Sequence, residues 1–309
     1  MKKVLVTCPP MLRQIEKFQT LFDERGFDVT APSVVQTLSI ESLVRIVPEH
    51  DGWIIGDDPA TLAVFEAGKA GRLRAAVKWG VGTDNVDFQA CENLNIPIAN
   101  TPNMFGNEVA DLAIGYVIAL ARETFSIDRG VRAGGWPKPS GISLSEKRIG
   151  VIGLGDIGST IARRAQAFGM SVTGWDPYPS HMTESVDLKK WPEGVEDCDF
   201  LVFACSLTEK TKHMFNHSLL PALKPQVRLV NVSRGGLIDE TALVAGIGSG
   251  IISGAALDVF EVEPLALDSA LRSYEQVIFG SHNGSNTIDA VLRTSFRAID
   301  LLTELMNGH

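Results

Sequence analysis

Gly153-Leu154-Gly155-Asp156-Ile157-Gly158 follows a short apolar run, Arg148 to Ile152, and opens an amphipathic stretch reaching Met170. That order predicts a strand, a glycine turn and a helix. Such glycines permit a tight turn, let a pyrophosphate approach the helix N-terminus and let the helix pack on the strand, while exposed N–H groups and the helix dipole favour negative charge. A second apolar run, Ser171 to Trp175, ends at Asp176, 18 residues after Gly158. A carboxylate there can accept bonds from the ribose hydroxyls of NAD and repel a 2′-phosphate; a plain turn before Pro177 is the alternative reading. Glycine turns between strand and helix are common, so it is the succession of strand, helix, strand and acid that marks a dinucleotide site, with NAD as the expected cofactor.

Composition narrows what surrounds this site. The chain has 309 residues, 45% of them hydrophobic, and a mean hydropathy of +0.10, which describes a globular protein long enough for two domains. A net charge of −9 and no basic block disfavour nucleic acid and anionic membrane as partners. Anionic ligands must then be held by local charges. The four cysteines, Cys8, Cys91, Cys198 and Cys205, form no CxxC pair, so reduced core thiols are expected, and neither a metal nor a disulfide framework. The apolar run behind Met1-Lys2-Lys3 is too short for a signal peptide, and no stretch approaches the length of a membrane span. A cytoplasmic location is expected.

Short apolar runs alternate with helical patterns throughout, which argues for parallel sheets built from βαβ units. Strand candidates are Lys3–Thr7, Phe27–Thr30, Gly52–Ile55 and Ala75–Trp79, then, beyond the glycine motif, Phe200–Ala204, Arg228–Asn231, Ile252–Ala256 and Val277–Phe279. The fold class is therefore α/β, with two doubly wound, Rossmann-like parallel-sheet units. Glu108–Ala121 reads as an apolar helix shared between domains. In Thr287–Met306, Ile288, Val291, Leu292, Phe296, Ile299 and Leu302 recur at spacings of three and four, an amphipathic helix that must dock, and the first domain is the expected place.

Three further segments are specific: Asn231-Val232-Ser233-Arg234-Gly235-Gly236-Leu237-Ile238-Asp239-Glu240, Ala256-Leu257-Asp258-Val259-Phe260-Glu261-Val262-Glu263-Pro264, and Ser281-His282-Asn283. They resemble the signature of the D-isomer-specific 2-hydroxyacid dehydrogenases, and the resemblance runs nearly end to end. Trp79 to Asp87 resembles that family's substrate loop, and Asn100-Thr101-Pro102 its crossing between domains. The resemblance implies a discontinuous substrate domain, residues 1–100 and 285–309, around an NAD-binding domain, residues 101–284, in a homodimer. It implies that Arg234 binds the substrate's carboxylate and carbonyl, that His282 exchanges a proton with the substrate oxygen, and that Glu263 holds the histidine. Cofactor contacts are implied at Gly153, Gly155, Asp156, Ile157, Gly158, Asp176, Leu207, Thr208, Val232, Ser233, Asp258 and Gly284.

The residue types suit that chemistry independently. Hydride transfer at a carbinol carbon needs a coupled proton transfer, which histidine performs in both directions near neutrality. A carboxylate beside it favours the imidazolium. Arginine's planar fork matches a carboxylate and stabilises charge growing on the carbonyl oxygen. The Val81 and Gly82 amides, in a glycine-rich turn, suit the substrate carboxylate. Each residue also has an ordinary reading: His282 as structural, Arg234 in a turn, Glu263 as a solvated acid, Asp258 as a helix cap. The remaining histidines, His50, His181, His213, His217 and His309, are expected at the surface.

Departures from the family pattern are few. Ala204-Cys205-Ser206 precedes Leu207-Thr208 where many relatives carry histidine and proline, and Ser281 replaces a common proline. Asn283-Gly284-Ser285-Asn286 resembles phosphoglycerate-dehydrogenase-like branches. Only 27 residues follow His282, so a C-terminal regulatory domain with serine feedback is not expected. The expected activity is NAD-dependent interconversion of a small D-2-hydroxy acid and its 2-keto acid, with 3-phosphoglycerate, hydroxypyruvate or glyoxylate as candidates. A nucleotide-sensing co-repressor on the same fold is the alternative. Formate dehydrogenase is disfavoured, because such relatives carry glutamine beside the histidine.

Overall fold

The computed structural model describes residues 1–179 and 185–308; His181 and His309 lie outside the described residues. Contacts divide the chain into two units, Met1–Met104 with Asn286–His309, and Phe105–Ser285.

The first unit holds five parallel strands, β1 (Lys2–Val6), β2 (Phe27–Thr30), β3 (Gly52–Ile55), β4 (Ala75–Lys78) and β5 (Ile98–Asn100), in the order β2-β1-β3-β4-β5. All residues of β3 and β4 are buried, as expected of strands covered on both faces. The helix Ile288–Asn307 packs on β3, β4 and β5. Thr287 caps it, its hydroxyl accepting from the Ala290 N–H at 3.1 Å. Val291, Ile299 and Leu302 are fully buried, each contributing about 2 kcal/mol of apolar burial, which is what docks the helix. Its apolar face is narrower than the spacing predicts: Ile288, the first residue of the helix, is 65% exposed, while Phe296 meets the Phe18 ring edge at 5.4 Å.

The second unit holds seven parallel strands, β6 (Arg148–Ile152), β7 (Ser171–Trp175), β8 (Val186–Leu188), β9 (Phe200–Phe203), β10 (Val227–Asn231), β11 (Ile252–Leu257) and β12 (Val277–Phe279). Their order is β12-β11-β10-β9-β6-β7-β8, so the winding reverses between β6 and β9. Carboxyl ends of strands at such a reversal form the ligand crevice of open α/β sheets. The apolar helix spans Gly106–Arg122 and packs on the helix Asp156–Ala167 and on β10 and β11.

Cys8, Cys91 and Cys198 are buried free thiols and Cys205 is half-buried; burial pushes all four up to about 12. They are core groups, inert as nucleophiles. His50 corrects the sequence reading. It is 3% exposed, its ring nitrogens bonded to Ile46 O at 2.8 Å and Thr30 Oγ1 at 2.7 Å, and two satisfied nitrogens are what make an imidazole tolerable in a core.

Candidate active site

Every predicted site residue of the second unit follows the carboxyl end of a strand. After β6, Gly153 adopts φ +89° and a Cβ on Gly158 would overlap the Gly153 carbonyl, so the turn and the helix–strand contact both demand glycine. Gly155 differs. Its φ is −71°, ordinary for any residue, and a Cβ there would meet no atom within 4 Å. Neither backbone nor packing explains that glycine; a ligand lying against the backbone does. Asp156 and Ile157 form the first turn of the helix Asp156–Ala167, whose N–H groups face the same place. The residues present thus fit a dinucleotide pyrophosphate.

After β7, Asp176 accepts the Leu154 N–H through Oδ2 and the Tyr178 N–H through Oδ1, both at 2.7 Å. Its carboxylate is pinned to the glycine turn, with lone pairs left for further donors. After β9, Leu207 packs on the core, while Thr208 closes a turn by donating its N–H to Thr211 Oγ1 at 2.8 Å. After β10, Val232 donates to Phe203 O at 3.4 Å, and the Ser233 hydroxyl donates to Cys205 O. These bonds tie the loops after β9 and β10 to each other.

The chemistry-bearing side chains come from β10, β11 and β12. Arg234 caps the short Gly235–Leu237 turn; its carbonyl accepts from Asn231 Nδ2 at 2.8 Å and its Nη1 donates to Ser233 O at 3.0 Å. A Cβ on Gly235 would fall on the Phe260 carbonyl, so glycine lets the arginine turn close against the loop that carries Glu263. That glutamate accepts the Phe260 N–H through Oε1 at 3.0 Å and bonds His282 Nδ1 through Oε2 at 2.7 Å. The histidine and glutamate are 26% and 23% exposed, partly shielded yet reachable. With Nδ1 held by the carboxylate, the imidazole is oriented and Nε2 is the nitrogen suited to exchange a proton with a ligand.

Sequence reasoning missed how this histidine is presented. His282 has φ +55°, the left-handed region, costly for a non-glycine residue and kept only where surroundings enforce it. Asp258 enforces it. Only 2% exposed, it accepts the Asn283 N–H at 3.1 Å and the Gly284 N–H at 2.8 Å through its carboxylate, and the His282 N–H at 2.7 Å through its carbonyl. Tyr116 stands beside it, its phenol pushed up to about 12 by burial and by the Asp258 charge. A second histidine–carboxylate pair, His213 Nε2 with Glu261 Oε1 at 2.5 Å, braces the same loop. Glu240 joins through its N–H to Glu261 Oε2 at 3.3 Å and by accepting the Glu261 N–H at 2.9 Å; burial and the neighbouring Glu261 push its carboxyl up. No local pattern marks these partners, which lie 21 to 48 residues apart.

In the first unit, Val81 and Gly82 follow β4. Gly80 donates to Thr101 Oγ1 at 2.8 Å and accepts the Thr101 N–H at 3.1 Å, and Val81 O accepts from Asn100 Nδ2 at 3.0 Å. The turn is therefore anchored through its carbonyls and the Gly80 amide. Val81 itself is 40% exposed. Among the described residues no group of three His, Cys, Asp or Glu is placed to hold a metal, and no helix is long and apolar enough to cross a membrane.

Comparison with known proteins agrees with this geometry. Residues 114–284 match the family model for the NAD binding domain of the D-isomer specific 2-hydroxyacid dehydrogenases. Hydroxypyruvate reductase of Thermotoga maritima is 33% identical over 92% of this chain and 93% of its own length. D-3-phosphoglycerate dehydrogenase 2, chloroplastic, of Arabidopsis thaliana is 39% identical over 82% of this chain, which spans 41% of that relative. The crystal structure of the TT0316 protein from Thermus thermophilus superposes with a TM-score of 0.88 at 27% identity, covering 99% of this chain and 97% of that one. With a dinucleotide-type glycine turn in the second unit and an arginine, glutamate and histidine at three successive strand ends, the chain belongs to the D-isomer specific 2-hydroxyacid dehydrogenase family.

Proposed function

We propose that the protein is an NAD-dependent dehydrogenase interconverting a small D-2-hydroxy acid and its 2-keto acid, of the kind of 3-phosphoglycerate, hydroxypyruvate or glyoxylate. The observation that carries the reading is the 2.7 Å bond between His282 Nδ1 and Glu263 Oε2, beside Arg234 on the neighbouring strand end. The nicotinamide, when bound, supplies or accepts the hydride at the substrate's second carbon. In the reductive direction, protonated His282 gives the Nε2 proton to the carbonyl oxygen, and Glu263 stabilises the imidazolium before the transfer. Arg234 bonds the substrate carboxylate and the same oxygen, stabilising the charge that develops there. Val81 and Gly82 contribute backbone donors to the carboxylate. In oxidation the neutral imidazole takes the proton back. Asp258 acts as a positioning residue for the His282 turn. The reading also takes the protein as a cytoplasmic homodimer, on the family resemblance. A co-repressor role would not call for the acid/base pair.

The test is NADH oxidation with a panel of phosphorylated and unphosphorylated 2-keto acids, for the parent and for Arg234→Lys. A point charge does not reproduce a forked contact, so kcat/KM should fall by roughly 10²-fold, the equivalent of about 3 kcal/mol of charged hydrogen bonding, with NADH affinity little changed. No turnover with any keto acid, or a loss confined to NADH binding, would overturn the reading.

A further inference from the structure

The first unit has its own winding reversal, between β1 and β3, and what lies at the carboxyl ends there is acidic. Gly56-Asp57-Asp58 follows β3, one strand from the turn that holds Val81 and Gly82, with Ile55 paired to Lys78 in register. Lys78 Nζ joins the two turns. It donates to Gly56 O at 2.6 Å and pairs with Asp57 Oδ1 at 3.1 Å, and a Cβ on Gly80 would lie 3.7 Å from it. Exposure then decides which charge an incoming ligand meets: the Lys78 side chain is 3% exposed and that of Asp57 is 40%. The cation lies beneath and the carboxylate on top.

Asp58 adds nothing to that charge: it is fully buried, its Oδ1 accepts the Leu38 N–H at 2.8 Å, and burial pushes its carboxyl up, favouring the neutral form. At the amino ends of the same strands, Lys2, Lys69, Arg72 and Arg74 line a groove of about 950 Å³ together with Glu92, Leu305 and Met306. The cations of this groove stand at the amino ends of the strands, away from the turn proposed to hold the substrate carboxylate, and Arg13, which closes the short helix after β1, is the cation to test at the other end.

We infer that Asp57 is a specificity-determining residue and that the substrate's distal group is a hydroxyl or another uncharged donor, not a phosphate. The inference rests on the proposed function in taking the Val81 and Gly82 amides as the seat of the carboxylate. Adjacent strands lie about 4.8 Å apart, on the order of the length of a three-carbon acid, so a group at the third carbon reaches the Asp57 carboxylate. A hydroxyl donates to it. A phosphate dianion meets like charge, and rejection by like charge is a strong discriminator.

Calorimetric titration of the NADH-loaded protein with D-glycerate and with 3-phospho-D-glycerate tests this. The unphosphorylated acid should bind roughly ten-fold more tightly or better, and Asp57→Asn should narrow that ratio by tightening the phosphorylated acid. The ratio in the parent decides whether or not the variant folds. Equal or tighter binding of the phosphorylated acid by the parent overturns the inference and leaves the proposed function standing, and loss of that preference in Arg13→Ala would name Arg13, which ends the one-turn helix after β1, as the phosphate's partner. An unchanged ratio in a folded Asp57→Asn protein also overturns it. Binding of NADH with neither acid bound overturns the inference, and the proposed function falls with it only when the keto-acid panel also gives no turnover.

Discussion

At the carboxyl end of β6 the chain turns through glycines into the twelve-residue helix Asp156–Ala167; at the carboxyl end of β1 it turns through Thr7-Cys8-Pro9-Pro10 into a helix of four residues, Pro9–Leu12. Both turns stand at the winding reversal of a doubly wound parallel sheet. They differ in what they offer an anion. The first presents backbone N–H groups and the dipole of a three-turn helix, whereas the second places two prolines, which have no N–H, at the first two helical positions. After the next strand the contrast repeats: Asp176 follows β7, while β2 ends at Thr30 before Ala31-Pro32, with no carboxylate for a ribose. One architecture therefore yields a dinucleotide site in one unit and none in the other. What decides is the supply of donors and acceptors at the turn, not the sheet.

The comparison is broken most severely at Gly155. Gly155→Val places a side chain where the protein has open space but a pyrophosphate would lie. NADH affinity should fall by at least about 10²-fold, the loss of roughly two charged hydrogen bonds, while the change at a helix N-cap costs stability about 1 kcal/mol or less. Fluorescence titration with NADH alongside thermal unfolding checks both parts. An unfolded variant, or unaltered NADH binding, would remove the argument that a ligand explains this glycine.

A smaller effect sharpens the role of the loops after β11 and β12. Removing the Glu263 charge withdraws a carboxylate from beside the His282 imidazolium, so Glu263→Gln should move both limbs of the pH–rate profile toward acid. Keto-acid reduction, which needs the protonated ring, is then lost earlier as pH rises; hydroxy-acid oxidation, which needs the neutral ring, persists to lower pH. Profiles measured in both directions decide. Limbs that move oppositely, or stay put with chemistry rate-limiting, would mean that Glu263 does not tune the acid/base.

Much of this contrast is legible in the sequence because it is local. The glycine motif, the acid after the second strand, and strands such as Gly52–Ile55 and Ser171–Trp175 announce themselves within a few residues. The edge strands β5 and β8 do not: Ile98-Ala99-Asn100 and Val186-Asp187-Leu188 are short and broken by polar residues, whereas β12, equally short, is the unbroken apolar run Val277-Ile278-Phe279. Arg234, Glu263 and His282 are legible as a set through their motifs. The left-handed backbone of His282, the grip of Asp258 on its turn and the approach of Gly235 to Phe260 are not, because each depends on loops brought together only when β10, β11 and β12 lie side by side. The burial of His50 escapes a reading of the sequence for the same reason: one of its two partners, Thr30, is 20 residues away.

Of two units of like architecture, only the second has the donors and acceptors for a nucleotide, in the turn after β6 and at Asp176. Equilibrium titration of the full chain with NADH measures it directly. One NADH per chain is expected, with affinity weakened by Asp176→Ala. Two NADH per chain, or one whose affinity Asp176→Ala leaves unmoved, would contradict it.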